Sequence, residues 1–144
     1  YNPANMETAI ADFCRKTGRN APADRGAYAR MVYESLALKY RLVNEQICGV
    51  CGTGTKVVHI VGGGSRNKLL NQFTADALGV PVLAGPEEAT AVGNLMVQAV
   101  GLGIIKSMQE ALPIIKGAFP ISEHKPQNGA EWDKAYQHFR SIVK

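Results

Sequence analysis

No apolar run in the chain approaches the ~18 residues of a membrane-spanning helix, and no basic-then-apolar leader opens it. Those two absences disfavour a helical span and export, and they predict a cytoplasmic protein. Basic clusters are missing as well. The 16 lysines and arginines are scattered singly or in pairs from Arg15 to Lys144. The net charge of +4 is therefore read as a solvated surface rather than a nucleic-acid groove. Internal repeats and low-complexity tracts are absent too. Cysteine is sparse, with only Cys14, Cys48 and Cys51, an odd number that predicts reduced thiols. Cys48 and Cys51 form a CxxC, but a structural zinc site needs four ligands. The only other candidate nearby is His59, expected inside a strand. A redox CxxC normally opens a helix, whereas this one follows a helix, so the two are read as loop thiols. The first residue is Tyr1 rather than methionine, which suggests a piece of a longer protein.

What is present is ordinary globular composition: 144 residues, 46% hydrophobic and 19% charged. Apolar spacing predicts a helix over Met6–Thr17 closed by Gly18, and a long helix over Gly26–Cys48 with Asp24 as its cap. A turn-rich link, Gly49–Thr55, leads to a β-branched run, Lys56–Val61, of the kind buried on both faces. A helix from about Arg66 to Leu78 follows, with Leu69, Leu70, Phe73 and Ala77 on one side. A second strand is expected over Val80–Leu83. Gly85-Pro86-Glu87-Glu88 then reads as a helix start, with proline in the first turn and acids at the positive end of the dipole. That helix should run to about Val100, with two more near Ser107–Lys116 and Ala130–Val143. In the last, Trp132, Tyr136, Phe139 and Val143 recur at core spacing. The sum is an α/β layer with helices on a partial, partly parallel sheet. Two strands alone do not make a stable sheet of this kind, so upstream structure is expected.

The chemistry concentrates in IVGGGSRN, three glycines between a strand and a helix. Such a loop presents backbone N–H groups to an anion or a nucleotide. The dinucleotide fingerprint fails, because Asn67 stands where the third glycine belongs and no acid ends the next strand. The Walker phosphate loop fails too: Gly52-Thr53-Gly54-Thr55-Lys56 precedes its strand instead of following it. A tight strand-to-helix turn without a ligand is a competing reading, although one glycine usually suffices for that. Three glycines with Ser65 and Asn67 suit a flat ligand lying on backbone, with an amide side chain able to hydrogen-bond it. Downstream, Ala89, Ala91 and Gly93 leave one helix face nearly bare, for close packing or for a ligand. Asp76 and Asp133 are read as surface or cap residues, not catalytic ones.

Gly62-Gly63-Gly64, two residues, Asn67, Leu-Leu, then Gln72 and Asp76 resembles the adenosine motif of the FGGY carbohydrate kinases. GPEEATAVGN and RMVYESLA resemble segments flanking that motif, and the likeness covers nearly all of the chain except CGVCGTGTK. The resemblance implies an actin-like ATPase fold of two RNase H-like domains, with residues 1–144 as an incomplete C-terminal nucleotide-binding domain. It implies ATP with Mg2+ and phosphoryl transfer to a ketose, the sugar site and catalytic base lying before Tyr1. It assigns the nucleotide contacts to Gly63 by backbone and Asn67 by side chain, with Gly62, Gly64 and Ser65 shaping the wall. No residue here is expected to be catalytic or to hold a metal, and the chain alone is expected to be inactive. Exposed strand edges would favour pairing with the missing domain or a homodimer. The alternatives are a relative acting on another ketose or polyol, and a non-catalytic nucleotide-binding module.

Overall fold

The computed structural model describes residues 3–143; Tyr1, Asn2 and Lys144, at the ends of the expected domain span, lie outside the described residues. The chain forms two compact units, Tyr1–Leu36 and Ala37–Lys144. In the first, α1 spans Met6–Lys16. Asn5 caps it by accepting the Thr8 N–H at 2.9 Å. Helix α2, Arg25–Cys51, starts where Asp24 accepts the Ala27 N–H at 2.9 Å, the cap that the sequence predicts. It continues through the division between the units and ends three residues beyond expectation. Cys48 and Cys51 therefore lie on its last turn and not in a loop.

The second unit is built on a three-stranded sheet in the order β1-β2-β3: β1 Val58–Ile60, β2 Val82–Ala84 and β3 Ser122–His124. β1 and β2 run parallel, with His59 opposite Leu83, and β2 and β3 run antiparallel, with Leu83 opposite Glu123. Lys56–Val61 is not a strand buried on both faces. Only its central three residues pair, and Val57 and Val61 are 37% and 52% exposed. Among the described residues β1 has a neighbour on one side only, and β-branching reports a fit to a pleated surface rather than its depth. β3 went unseen for the complementary reason. Ser-Glu-His carries no apolar alternation and is held to β2 by its backbone ladder, with the Ser122 hydroxyl donating to the Ala84 carbonyl at 3.5 Å.

Between β1 and β2 runs a short 3-10 turn, Gly62–Arg66, and helix α3, Lys68–Leu78. The buried set of α3 is Asn71, Phe73, Thr74, Ala75, Asp76 and Ala77, while Leu69 stays exposed. Asp76 is thus not a surface residue. Its carboxylate accepts the Gln72 amide at 2.8 Å and the Gln127 N–H at 2.7 Å. That pins the segment entering α6, Gly129–Ile142. Asp133 is exposed as expected and pairs with Arg41 at 2.7 Å. Helices α4, Ala89–Gly101, and α5, Met108–Ala118, follow β2. Glu88 stands at the N-cap position of α4 without a side-chain capping bond, so Pro86 lies in the loop before the helix and not in its first turn.

The core of this unit joins Val82 and Ala84 of β2 to Phe73, Ala75 and Ala77 of α3, with Tyr136 of α6 also buried. Phe73 meets Trp132 with ring centroids 5.3 Å apart and tilted, a geometry worth about 0.5–1.5 kcal/mol beyond area. Tyr136 donates its hydroxyl to Glu45 at 2.6 Å, and the Arg41 guanidinium lies 4.1 Å from its ring centroid. Burial first, then the Glu45 carboxylate, pushes the phenol up to about 12 from 10.0. The unfolded chain therefore releases this proton before the folded one does, and stability falls as pH rises through that interval. Urea midpoints of wild type between about pH 10 and 12 should drop more steeply than those of Tyr136→Phe. At neutral pH the variant should lose about 1 kcal/mol for the missing hydrogen bond. Parallel pH curves for the two proteins would refute the assignment.

Candidate functional site

The parallel strands β1 and β2 both end at one edge of the sheet, where ligands gather in open α/β architectures. Two backbone hydrogen bonds join the loops there. Gly85 donates its N–H to the Ile60 carbonyl at 2.9 Å, and Gly62 donates to the Pro86 carbonyl at 2.9 Å. Both donors need to be glycine. Gly62 has φ +75°, a region where a Cβ is strained. Gly85 has φ +125°, and a Cβ there would stand 2.8 Å from the Pro120 carbonyl oxygen.

Within the turn, Ser65 donates its hydroxyl to the Gly62 carbonyl at 2.7 Å. Asn71 reaches back from the first turns of α3 and donates its amide N–H to the Ser65 carbonyl at 2.9 Å. Asn71 is fully buried, and its Oδ1 has no hydrogen-bond partner among the described residues. The sequence did offer one signal for this residue, an amide directly after Leu69-Leu70 on the apolar side of a helix, but it did not say what the amide holds. Arg66 pairs with Glu87 at 2.6 Å across the two loops. Both ends are well exposed, so the pair is worth little to stability.

A cleft of about 500 Å3 opens here, lined by Ser65, Pro86, Glu87, Glu88, Phe119 and Ser122 among others. Of the five residues singled out by sequence, Ser65 lines this cleft. Gly62 is committed to holding Pro86. Gly63 and Gly64 are exposed, and a Cβ on Gly63 would meet nothing within 4 Å. Asn67 has a structural task that the sequence reading did not foresee. Its Oδ1 accepts the Leu70 N–H at 3.0 Å as the cap of α3, so half of its amide is spoken for. On α4, a Cβ on Gly93 would also meet nothing within 4 Å. Among the described residues no group of three or more His, Cys, Asp or Glu side chains could hold a metal ion, and no helix is long and apolar enough to cross a membrane.

Residues 1–102 match the C-terminal domain of the FGGY family of carbohydrate kinases. A rhamnulokinase of Bacteroides thetaiotaomicron is 47% identical over 99% of this chain, which spans 30% of that protein. The rhamnulokinase of Bacillus subtilis is 38% identical over 88% of the chain, or 26% of its own length. The crystal structure of xylulose kinase from Rhodospirillum rubrum superposes with a TM-score of 0.63 at 23% identity, covering 87% of this chain and 25% of that one. The chain therefore spans about a third or less of the proteins it matches, and its α/β fold is the one those sugar kinases carry.

The geometry separates the glycines by what each must do. Gly62→Ala should lower stability by about 1–2 kcal/mol, whereas Gly63→Ala, with ordinary backbone and open space, should leave it within about 0.5 kcal/mol. Urea denaturation of both variants distinguishes them. Equal losses would mean that the turn is not organised around Gly62.

Proposed function

The chain belongs to the FGGY family of carbohydrate kinases, and from that premise we propose that it is the nucleotide-binding part of an ATP-dependent L-rhamnulose kinase. The whole protein would transfer the γ-phosphate of ATP to L-rhamnulose, giving L-rhamnulose 1-phosphate. The observation that carries the reading is the glycine turn at the ends of two parallel strands, held by backbone on one side and open at Gly63 on the other. The extensive identity to rhamnulokinases supports this choice of sugar over other ketoses and polyols.

In this reading the nucleotide lies over Gly63, whose missing side chain lets it approach the backbone. Gly62 and Gly64 set the path of the turn and Ser65 locks it. Asn67 would use both ends of its amide: Oδ1 caps α3 and the NH2 donates to the adenosine. Mg2+ would arrive with the phosphates of ATP, and the ketose and the general base would belong to the part of the protein outside this chain. Such a division suits phosphoryl transfer, which depends chiefly on positioning and charge stabilisation. The domain would be incomplete by itself, would work in the cytoplasm, and could pair in a homodimer of the full protein.

Two substitutions test the site in the full-length enzyme. Gly63→Val should raise KM for ATP at least about tenfold, the equivalent of 1.4 kcal/mol, while the melting temperature and KM for the sugar hold. Asn67→Asp keeps the cap acceptor but removes the NH2 donor and adds a negative charge. It should raise KM for ATP with stability unchanged, which Asn67→Ala cannot show because it also removes a cap worth about 1 kcal/mol. Unaltered ATP affinity in folded Gly63→Val would sink the assignment. The 144-residue chain alone should release no ADP in the presence of L-rhamnulose, and turnover by it would overturn the proposed division of labour.

A further inference from the structure

CGVC is the motif that nucleotide binding leaves unused. The structure places Cys48 and Cys51 on the final turn of α2, three residues apart and so on one face. Both are free thiols, Cys51 exposed and Cys48 half-buried. Little holds this turn. Val50 between them is 90% exposed, Cys51 is the last helical residue, and the closing bond is the Gly52 N–H to the Cys48 carbonyl at 2.9 Å. The Cys48 sulfur lies 3.3 Å from the Thr55 hydroxyl oxygen. That hydroxyl already donates its only proton to Asn44 Oδ1 at 2.6 Å, so the S–H of Cys48 is the donor in this contact. One thiol is thus open to solvent, and the other, three residues earlier on the helix, is held by Thr55.

We propose that Cys48 and Cys51 form a reversible disulfide by exchange with a small-molecule disulfide of the glutathione type. The Cys51 thiolate attacks one sulfur of the oxidised reagent and expels a first thiolate, leaving a mixed disulfide on Cys51. The Cys48 thiolate then attacks the Cys51 sulfur and expels the second. One S–S bond is consumed and one formed, two protons pass to solvent or to the departing thiolates, and the reagent leaves as two reduced thiols. Three-apart helical residues have Cβ atoms about 5–6 Å apart, whereas a disulfide needs about 3.5–4.5 Å. Closing the bond therefore tightens the end of α2 by about 1–2 Å, which a buried helix interior would resist and this exposed last turn can accommodate. It also removes the thiol proton, and with it the Cys48–Thr55 contact. Cys14 is buried and sits on another helix, so it serves as an internal control.

Trypsin cleavage after Arg41 and Lys56 puts both cysteines on one peptide, residues 42–56, away from Cys14. The full-length protein is equilibrated folded with oxidised glutathione, quenched with acid, and mapped by mass spectrometry. The wild-type peptide should be lighter by two hydrogen atoms and return to its starting mass with dithiothreitol. The internal disulfide should exceed the glutathione adduct by at least about tenfold, because the second thiol acts at a high effective concentration. Cys48→Ser should instead accumulate a glutathione adduct on Cys51. A wild-type peptide that carries one or two glutathiones, or that stays reduced, overturns the proposal.

Discussion

The pair of backbone hydrogen bonds that crosses the ends of β1 and β2 is the constraint on which the rest of the site depends. Ile60 accepts from Gly85 and Pro86 accepts from Gly62, so each loop is tied to the other just where the ladder stops. Neither bond could form with a side chain at its donor without strain, given φ +75° at Gly62 and φ +125° at Gly85. Their effect is to fix the starting direction of the 3-10 turn. Ser65 and Asn71 then close the turn from inside, and Gly63 is left as the exposed part of it. A rigid loop with one open backbone position can offer N–H groups to a ligand without first having to order itself.

Helix α3 carries that arrangement into the core. Its N-terminus is capped by Asn67 and its buried amide holds the turn, while Phe73 at mid-helix packs on Trp132. Asp76, one turn later, anchors the approach to α6. A single eleven-residue helix thus links the site, the aromatic cluster and the C-terminal helix. Its buried polar residues Asn71, Thr74 and Asp76 each bond a backbone group, the Ser65 carbonyl, the Leu70 carbonyl and the Gln127 N–H, while Asn71 Oδ1 has no partner among the described residues. The Tyr136–Glu45–Arg41–Asp133 network does the same between α2 and α6, with the phenol kept protonated by burial.

Much of this was legible in the sequence, for a local reason. The periods of α1, α3, α4, α5 and α6, the Asp24 cap and the strand–glycine–helix order are set by neighbours a few residues apart. The glycine triplet was conspicuous because no ordinary turn requires it. The family membership rests on the same local signals, strung together in one order. Less visible was the second half of Asn67's role: an amide beside a glycine loop reads as a ligand contact, and the competing cap needs the position of the helix start to within one residue.

What the sequence determined by itself was the order of the helices and of the two parallel strands, with the glycine turn between those strands. Tertiary structure alone decided how deep each element sits. A β-branched run became a half-exposed edge strand, because burial depends on how many neighbours flank a strand and not on its composition. Ser-Glu-His became a strand because β2 offered it an unpaired backbone. Gly85 to Glu88 became a wall of the cleft instead of a helix turn, because a hydrogen bond to Ile60, far away along the chain, held Gly85 out of helical conformation. Each of these outcomes depends on contacts between residues distant in sequence, which no local pattern encodes.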